Sequence, residues 1–145
     1  MAGLSVVSVA DRAGFYIFAA ALRSSDYFAH LEAEGPFTMF APIDAAFSVM
    51  SPVALDGFLR RDHDRLHLVL GHHFASGRVA AARFAGKRIR ANMRAGGEVM
   101  IDGRTGLKAN SARVIKPDLN AGNGVVHGID ALLWPRATRA GLVAS

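Results

Sequence analysis

Helical and strand-like patterns occupy different parts of this chain. Up to Gly71, apolar residues recur three and four positions apart, as in Phe15, Phe18 and Leu22, which is the spacing of one helix face. The exception is a buried strand expected at residues 37–41. After Gly71, short apolar runs alternate with glycines, which is typical of strands joined by turns. Helices that precede strands predict an α+β fold and not an alternating parallel sheet.

Size and composition predict one globular domain. A length of 145 residues fits a single domain, and 51% hydrophobic with 20% charged residues is a globular composition. The absence of cysteine excludes disulfide frameworks, thiolate metal sites and cysteine nucleophiles. We expect the domain to cover residues 1–135 and a loose tail to cover residues 136–145.

Two segments combine apolar and polar residues in an informative order. In FTMFAPIDAAF (37–47), Pro42 ends the expected strand and Asp44 can cap the following helical turn. In NGVVHGIDALLWP (123–135), Asn123-Gly124 predicts a tight turn with positive φ. His127 and Asp130 stand in an apolar run, so we expect them to be hydrogen-bonded within the structure. The spacing places four residues in the core: Phe40, Phe47, Val126 and Ile129.

These two segments resemble the opening and closing signatures of fasciclin (FAS1) domains. Leu70–Phe74 and the stretch from Gly106 to Val114, with Asn110, also resemble family segments in the right order. The resemblance covers about residues 6–135. It implies a fasciclin-like fold, with N-terminal helices packed on a β-sandwich or wedge of short strands. It also implies a non-catalytic module for cell adhesion or extracellular ligand binding, whose partner is a protein or glycan at a cell surface.

The resemblance also names partner-binding residues. His72 and His73 lie where the family has its tyrosine–histidine adhesion motif, with His72 at the tyrosine position. Pro117-Asp118-Leu119 resembles a short segment proposed for integrin-type contacts, which implicates Asp118 and Leu119. From the residues alone, the preferred interpretation of Asp118 is the N-cap of a helix.

The expected location also follows from the resemblance. Family members are typically extracellular, periplasmic or on the cell surface. No secretory signal is visible, because Asp11 and Arg12 interrupt the early apolar positions, and a cytoplasmic location stays open. No apolar run approaches the ~18 residues of a transmembrane helix. The sequence gives no indication of the oligomeric state.

Basic residues concentrate in the middle of the chain. The net charge is +5, and residues 60–94 hold nine Arg or Lys against two Asp. Arginine forks suit sulfate, phosphate and carboxylate, so the second hypothesis is binding of an acidic glycan or anionic surface. Scarce stacking aromatics disfavour nucleic acid. On a strand, Arg88 and Arg90 would face solvent and Ile89 the core. The candidate anion-binding residues are Arg78, Arg83, Lys87, Arg88, Arg90 and Arg94.

A metal-dependent enzyme is the third hypothesis. His63 and His67 are four positions apart and would share one helix face, which suits zinc. The sequence shows no clear third ligand, nucleophile elbow, phosphate loop or dinucleotide fingerprint. It therefore predicts no metal, no cofactor and no catalytic residue.

Overall fold

The computed structural model describes residues 3–135, so the expected tail at 136–145 lies outside the described residues. The helices are α1 (Val6–Arg12), α2 (Tyr16–Arg23), α3 (Phe28–Ala33), α4 (Pro52–Arg60) and α5 (His63–Gly71), with 3₁₀ turns at Asp44–Val49 and Ala81–Arg83. The strands are β1 (Phe37–Pro42), β2 (Phe74–Ser76), β3 (Arg88–Asn92), β4 (Glu98–Asp102), β5 (Lys108–Ala109), β6 (Ala112–Ala121) and β7 (Gly124–Ile129).

The strands form one mixed sheet in the order β2-β1-β7-β6-β5-β4-β3. Strands β1 and β7 run parallel, and the other neighbours are antiparallel. The Arg94 N–H, just past β3, donates to the Phe74 oxygen of β2 at 2.8 Å, so the two edge strands meet at one end. The sheet therefore bends back on itself, assisted by register shifts in β6. The α+β prediction is confirmed, with the strands in one bent sheet.

The bent sheet separates two apolar cores. One lies between the helices and the sheet and contains Phe18, Leu22 and Val126. The other lies inside the bend and contains Phe40 and Ile129, together with residues of β4. The burial prediction is confirmed, because Phe40, Phe47, Val126 and Ile129 are at most 2% exposed.

Two of the helix starts are capped in different ways. Ser51 accepts a hydrogen bond from the Ala54 N–H at 3.2 Å, with Pro52 in the first turn of α4, as the local sequence predicts. Asp44 makes no capping bond in its own 3₁₀ turn. Its Oδ1 instead accepts from the Ile17 N–H at 2.8 Å, so it caps the distant helix α2.

The β6–β7 hairpin corrects a second expectation. Ala121 pairs with Gly124, so the loop is Gly122-Asn123, one residue earlier than predicted, and neither Asn123 nor Gly124 has the expected positive φ. Gly124 is already the first residue of β7, where a Cβ atom would collide with the Phe37 carbonyl, so it permits close packing of β1. The Asn123 side chain accepts from the Val6 N–H at 2.9 Å and donates to the Leu31 oxygen at 2.6 Å. It thereby joins the start of α1 to α3.

None of the helices described in residues 3–135 combines the length and the apolar character that a transmembrane helix requires.

Candidate functional site

The segment between β2 and β3, residues 77–87, crosses the opening between the two edge strands and is called the strap below. Thr38 of β1 fixes its first residues. The Thr38 hydroxyl donates to the Gly77 oxygen at 2.6 Å and accepts from the Val79 N–H at 2.8 Å. Both hydrogen-bonding capacities of this buried hydroxyl are therefore used on the strap.

His127 of β7 holds the strap from inside the fold. Its Nε2 lies 2.9 Å from the Val79 oxygen, and the Asp118 N–H lies 3.1 Å from its Nδ1. Because a backbone N–H donates to Nδ1, the proton must reside on Nε2, which donates to Val79. Burial lowers the pKa of His127, against opposing effects of the Val79 bond and the Asp118 charge. The prediction that His127 is hydrogen-bonded is confirmed, and so is that for Asp130, which accepts from the Arg113 N–H at 2.8 Å.

Asp118 does not begin a helix, so that prediction is wrong. It lies within β6 at φ 60°, where the register of the strand shifts. Its Oδ1 accepts from the Ala81 N–H at 2.8 Å. Asp118 therefore caps a helical turn, but the turn is the 3₁₀ turn of the strap and not one that follows it in sequence. Leu119 is half-buried beside it.

Three of the six predicted anion-binding residues have partners within the domain. The Arg78 guanidinium donates to the Gly124 oxygen at 2.7 Å and the Ala121 oxygen at 3.0 Å, which fastens the strap to the β6–β7 hairpin. Arg88 lies 3.8 Å from Asp102, and Arg90 lies 4.0 Å from Glu98. Both carboxylates belong to β4, the ladder partner of β3.

The side chains of β3 alternate as predicted. Arg88 and Arg90 are exposed, and Ile89 packs against the core inside the bend. Asp102 is shared, because Arg104 donates to both its oxygens at 3.1 Å and these hydrogen bonds hold the Asp102 pKa below its usual value. Arg88 is therefore the weaker partner of that carboxylate.

Arg83, Lys87 and Arg94 are exposed, and among residues 3–135 none of them forms an ion pair. Arg83 and Lys87 also line a groove of about 310 Å³ between the edge strands and the strap. The other walls of the groove include Phe40, Phe84 and Ile89. At this groove the basic run borders an apolar cavity.

His72 and His73 lie in the interior, away from the strap. His73 is fully buried, donates from Nδ1 to the Val69 oxygen at 2.6 Å and accepts at Nε2 from the Leu133 N–H at 2.9 Å. Burial lowers the pKa of His73 to about 3. His72 is 2% exposed, and its Nδ1 has no hydrogen-bond partner within the described residues. His73 offers no surface for direct contact, whereas His72 lines a second cavity of about 380 Å³, and the partner-binding role of both residues stays a prediction.

The histidine pair considered for zinc is placed on α5. His67 stacks on Tyr27 with ring centroids 4.2 Å apart, which gives it a packing role. Residues 3–135 contain no group of three or more His, Asp or Glu side chains that could hold a metal.

Sequence reasoning missed the strap and its supports. Thr38 received no role, although a polar residue in a buried strand is a signal that a partner must exist. His127 was identified as hydrogen-bonded, but its partners lie 9 and 48 positions away and could not be named.

Comparison with known proteins decides the family. The model of the Fasciclin domain family matches residues 13–135. The chain belongs to the fasciclin family. Protein sll1483 of Synechocystis sp. is 33% identical over 138 residues, which cover 91% of this fasciclin chain and 74% of that protein.

Two further relatives are longer than this fasciclin chain. Cell surface glycolipoprotein MPB83 of Mycobacterium bovis is 28% identical over 103 residues, covering 71% of the chain and 46% of that protein. The solved FAS1 domain pair of the insect cell adhesion molecule Fasciclin I matches with a TM-score of 0.64 at 17% identity, covering 85% of the chain and 46% of the pair. That likeness shows a shared fold. The chain thus spans less than half of either relative.

Proposed function

We propose that this fasciclin domain is a non-catalytic binding module that acts in adhesion or ligand capture at a cell surface or elsewhere outside the cytoplasm. Two relatives support this assignment by name, since one is a cell surface glycolipoprotein and the other comes from a cell adhesion molecule. The partner is a protein or glycan, as in the expectation from the sequence.

One hydrogen bond supports a specific face of the domain as the contact surface. Asp118 accepts a hydrogen bond from Ala81, which places the Asp118-Leu119 bulge of β6 directly against the strap. Asp118 and Leu119, which the family resemblance implicates as contact residues, therefore belong to one continuous surface with Arg83 and Lys87. Because the backbone of the strap is already fastened, it loses little conformational freedom when a partner binds. We call this surface the strap face.

For His73, the proposed contribution to this function is indirect. His73 joins α5 to the segment at Leu133, so it supports the fold behind the strap face. A direct contact would require the ring to leave a fully buried position. The roles of Asp118 and Leu119 as contacts are compatible with their places at the surface.

Attachment of coated microspheres under flow tests the proposal. The chain has no cysteine, so a single introduced cysteine can carry a bulky polyethylene glycol at one chosen place. We expect spheres bearing the domain to attach to a protein-coated or acidic-glycan-coated surface more than spheres bearing albumin. Polyethylene glycol attached to the cysteine of Arg83→Cys should abolish attachment of the microspheres, because the polymer covers the strap face.

The matched control is Val53→Cys on α4, where the side chain is 84% exposed and remote in sequence from the strap. Attachment should survive polymer at this position. Absence of attachment to every coating, or equal loss with polymer at either position, would reject the strap face as an adhesive surface.

Polyanion binding is the second candidate function. It is favoured by the exposed cations of Arg83, Lys87 and Arg94, for which residues 3–135 supply no ion-pair partner. Uncompensated surface cations attract polyanions with an affinity that falls as salt rises.

A further inference from the structure

The groove beside the strap combines two kinds of wall. Its floor is apolar, formed by Phe40 of β1, Phe84 of the strap, and Ile89 with Ala91 on β3. Its rim carries the two cations of Arg83 and Lys87. Ligand pockets are typically apolar with a few placed polar groups, and about 310 Å³ is at the lower end of their usual range of ~300–1,000 Å³.

We propose that this groove binds a single-chain amphiphile, with its apolar chain on the floor and a compact anionic head between Arg83 and Lys87. A fatty acid of medium chain length has this chemistry. The groove volume of about 310 Å³, at the lower end of the range for ligand pockets, suits a chain of medium length, on the order of ten carbons. Each methylene removed from water contributes to binding through the hydrophobic effect.

The two cations are available to such a head group. Within residues 3–135 neither has an ion pair, whereas Arg88 and Arg90 on the adjoining strand face the carboxylates of Asp102 and Glu98. A guanidinium fork matches a carboxylate with two parallel hydrogen bonds, and an ammonium adds a second charge. The charge of the rim therefore complements an anionic head and not a cationic one.

The backbone that carries these cations is fixed in advance. The Lys87 N–H donates to the Phe84 oxygen at 3.0 Å, and the Lys87 oxygen accepts from the Gly103 N–H at 2.8 Å. Gly103 allows this approach, because a Cβ atom there would collide with the Phe84 carbonyl. Thr38, Asp118 and His127 hold the other end of the strap. Preorganisation of this kind reduces the entropy lost on binding.

An extended peptide fits the groove less well. Adding a strand needs a run of free main-chain groups at a sheet edge. Strand β2 has only three residues, the Phe74 oxygen already accepts from Arg94, and the N–H of Gly77 already donates to the Pro36 oxygen. A short apolar chain needs no main-chain partners, so it suits this opening better.

This inference rests on the proposed function as a binding module and deepens it by naming a ligand class. The probe is sodium decanoate, kept below its micelle-forming concentration and titrated by calorimetry and by ¹H–¹⁵N NMR. Decanol supplies the same chain without charge, and acetate supplies the charge without the chain. We expect decanoate to bind at least tenfold more tightly than either, with the largest amide shifts near Phe84, Ile89 and Ala91.

Matched variants distinguish binding in the groove from general electrostatic attraction to the basic surface. The double variant Arg83→Gln with Lys87→Gln should weaken decanoate binding at least tenfold. Arg88→Gln with Arg90→Gln removes the same charge from the solvent-facing side of β3 and should change binding less than twofold. Ala91→Met narrows the groove and should weaken decanoate and decanol alike. Circular dichroism of each variant excludes a folding defect as the cause.

Three results would overturn the inference: decanoate binding no tighter than decanol, equal losses in the two double variants, or no shift at the groove. Vesicles with and without an anionic lipid distinguish a free amphiphile from a membrane lipid. Binding to anionic vesicles without decanoate binding would mean surface attraction alone and would also reject the groove. If the unsubstituted domain binds no decanoate but its microspheres attach, only this inference is rejected. If it binds decanoate but its microspheres do not attach, only the adhesive function is rejected.

Discussion

One basic stretch of the sequence spans two regions that are held in place in different ways. These are the strap at residues 77–87 and the β3–β4 hairpin at residues 88–102. The hairpin is held by a main-chain ladder of five paired positions. The strap is held by side chains of other strands, among them Thr38, Asp118 and His127. Neighbours in sequence therefore depend on different physical interactions for their positions.

The same difference decides what their charges can do. In the ladder Asp102 lies directly opposite Arg88, and Glu98 is the diagonal neighbour of Arg90, so β4 supplies a carboxylate near each arginine. The strap has no ladder partner along most of its length, so Arg83 and Lys87 remain open to solvent and to the groove. The comparison teaches that a run of positive residues in sequence is not one surface. Whether a basic residue is available to a ligand depends on whether it lies within the strand ladder or outside it.

Removing the imidazole that supports the strap should have the largest effect. His127→Ala leaves the part-buried Val79 oxygen and Asp118 N–H without their partners, at up to ~1–3 kcal/mol for each group, and opens a cavity in place of a fully buried ring. We expect the free energy of unfolding in urea to fall by about 4 kcal/mol. The control in the hairpin is Arg90→Gln, which removes an exposed ion pair whose atoms are 4.0 Å apart. This variant should change the free energy of unfolding by no more than ~0.5 kcal/mol.

Hydrogen exchange sharpens that result. The amides of Val79 and Ala81 should lose protection in His127→Ala, while amides of the β3–β4 ladder keep theirs relative to global unfolding. A loss of stability below 1 kcal/mol, or equal loss of protection in both regions, would show that the strap does not depend on His127.

Acidification should have the next largest effect. Burial lowers the pKa values of His72, His73 and His127. Between the unfolded pKa near 6.5 and the lower folded pKa, the unfolded chain binds more protons, so stability is complete above about pH 6.5 and declines as pH falls. Each such histidine contributes up to ~1.4 kcal/mol per pH unit. For His73, with a folded pKa of about 3, the loss at pH 4.5 is on the order of 3 kcal/mol.

Urea unfolding at pH 7.5, 6.0 and 4.5 measures this loss. The variant His73→Gln should be less stable at pH 7.5 but should show a shallower decline toward pH 4.5. Because a protonated His127 ring cannot accept from the Asp118 N–H, the strap should also lose exchange protection before the hairpin does. A pH-independent free energy of unfolding across this interval would contradict the assignment of buried neutral histidines.

The fold could be predicted from sequence to the extent that its signals are local. Helix periodicity, Ser51-Pro52 at the start of α4, and the glycine-punctuated strands act within a few residues. The hairpin loop was misplaced by one residue because close packing between β1 and Gly124 is not a local property. Asp44 was assigned to its own turn because its real partner, Ile17, is 27 positions away.

The candidate site depended even more on distant contacts. The strap is fixed by pairs 37 to 48 positions apart, which no periodicity reveals. The basic run was visible in sequence, but its division was not, because the pairing of Arg90 with Glu98 depends on the register of β3 against β4. The groove combines residues from β1, β2, the strap and β3, so it exists only after the sheet has bent.

The smallest expected effect concerns retention on an acidic heparin matrix at low salt, and it tests the division of charges directly. Arg83→Glu with Lys87→Glu should shift elution to clearly lower salt, because it reverses two cations that have no carboxylate beside them in the described residues. Arg88→Glu with Arg90→Glu also reverses two cations, but these are partly compensated by Asp102 and Glu98, so the shift should be smaller. Glu98→Gln releases Arg90 and should move elution slightly to higher salt, with the free energy of unfolding changed by no more than ~0.5 kcal/mol.

If the two double variants elute together, the polyanion responds only to net charge, and the distinction between strap and hairpin has no consequence for binding. If the hairpin variant shifts more, the exposed face of β3 is the anion-binding surface and the strap is not.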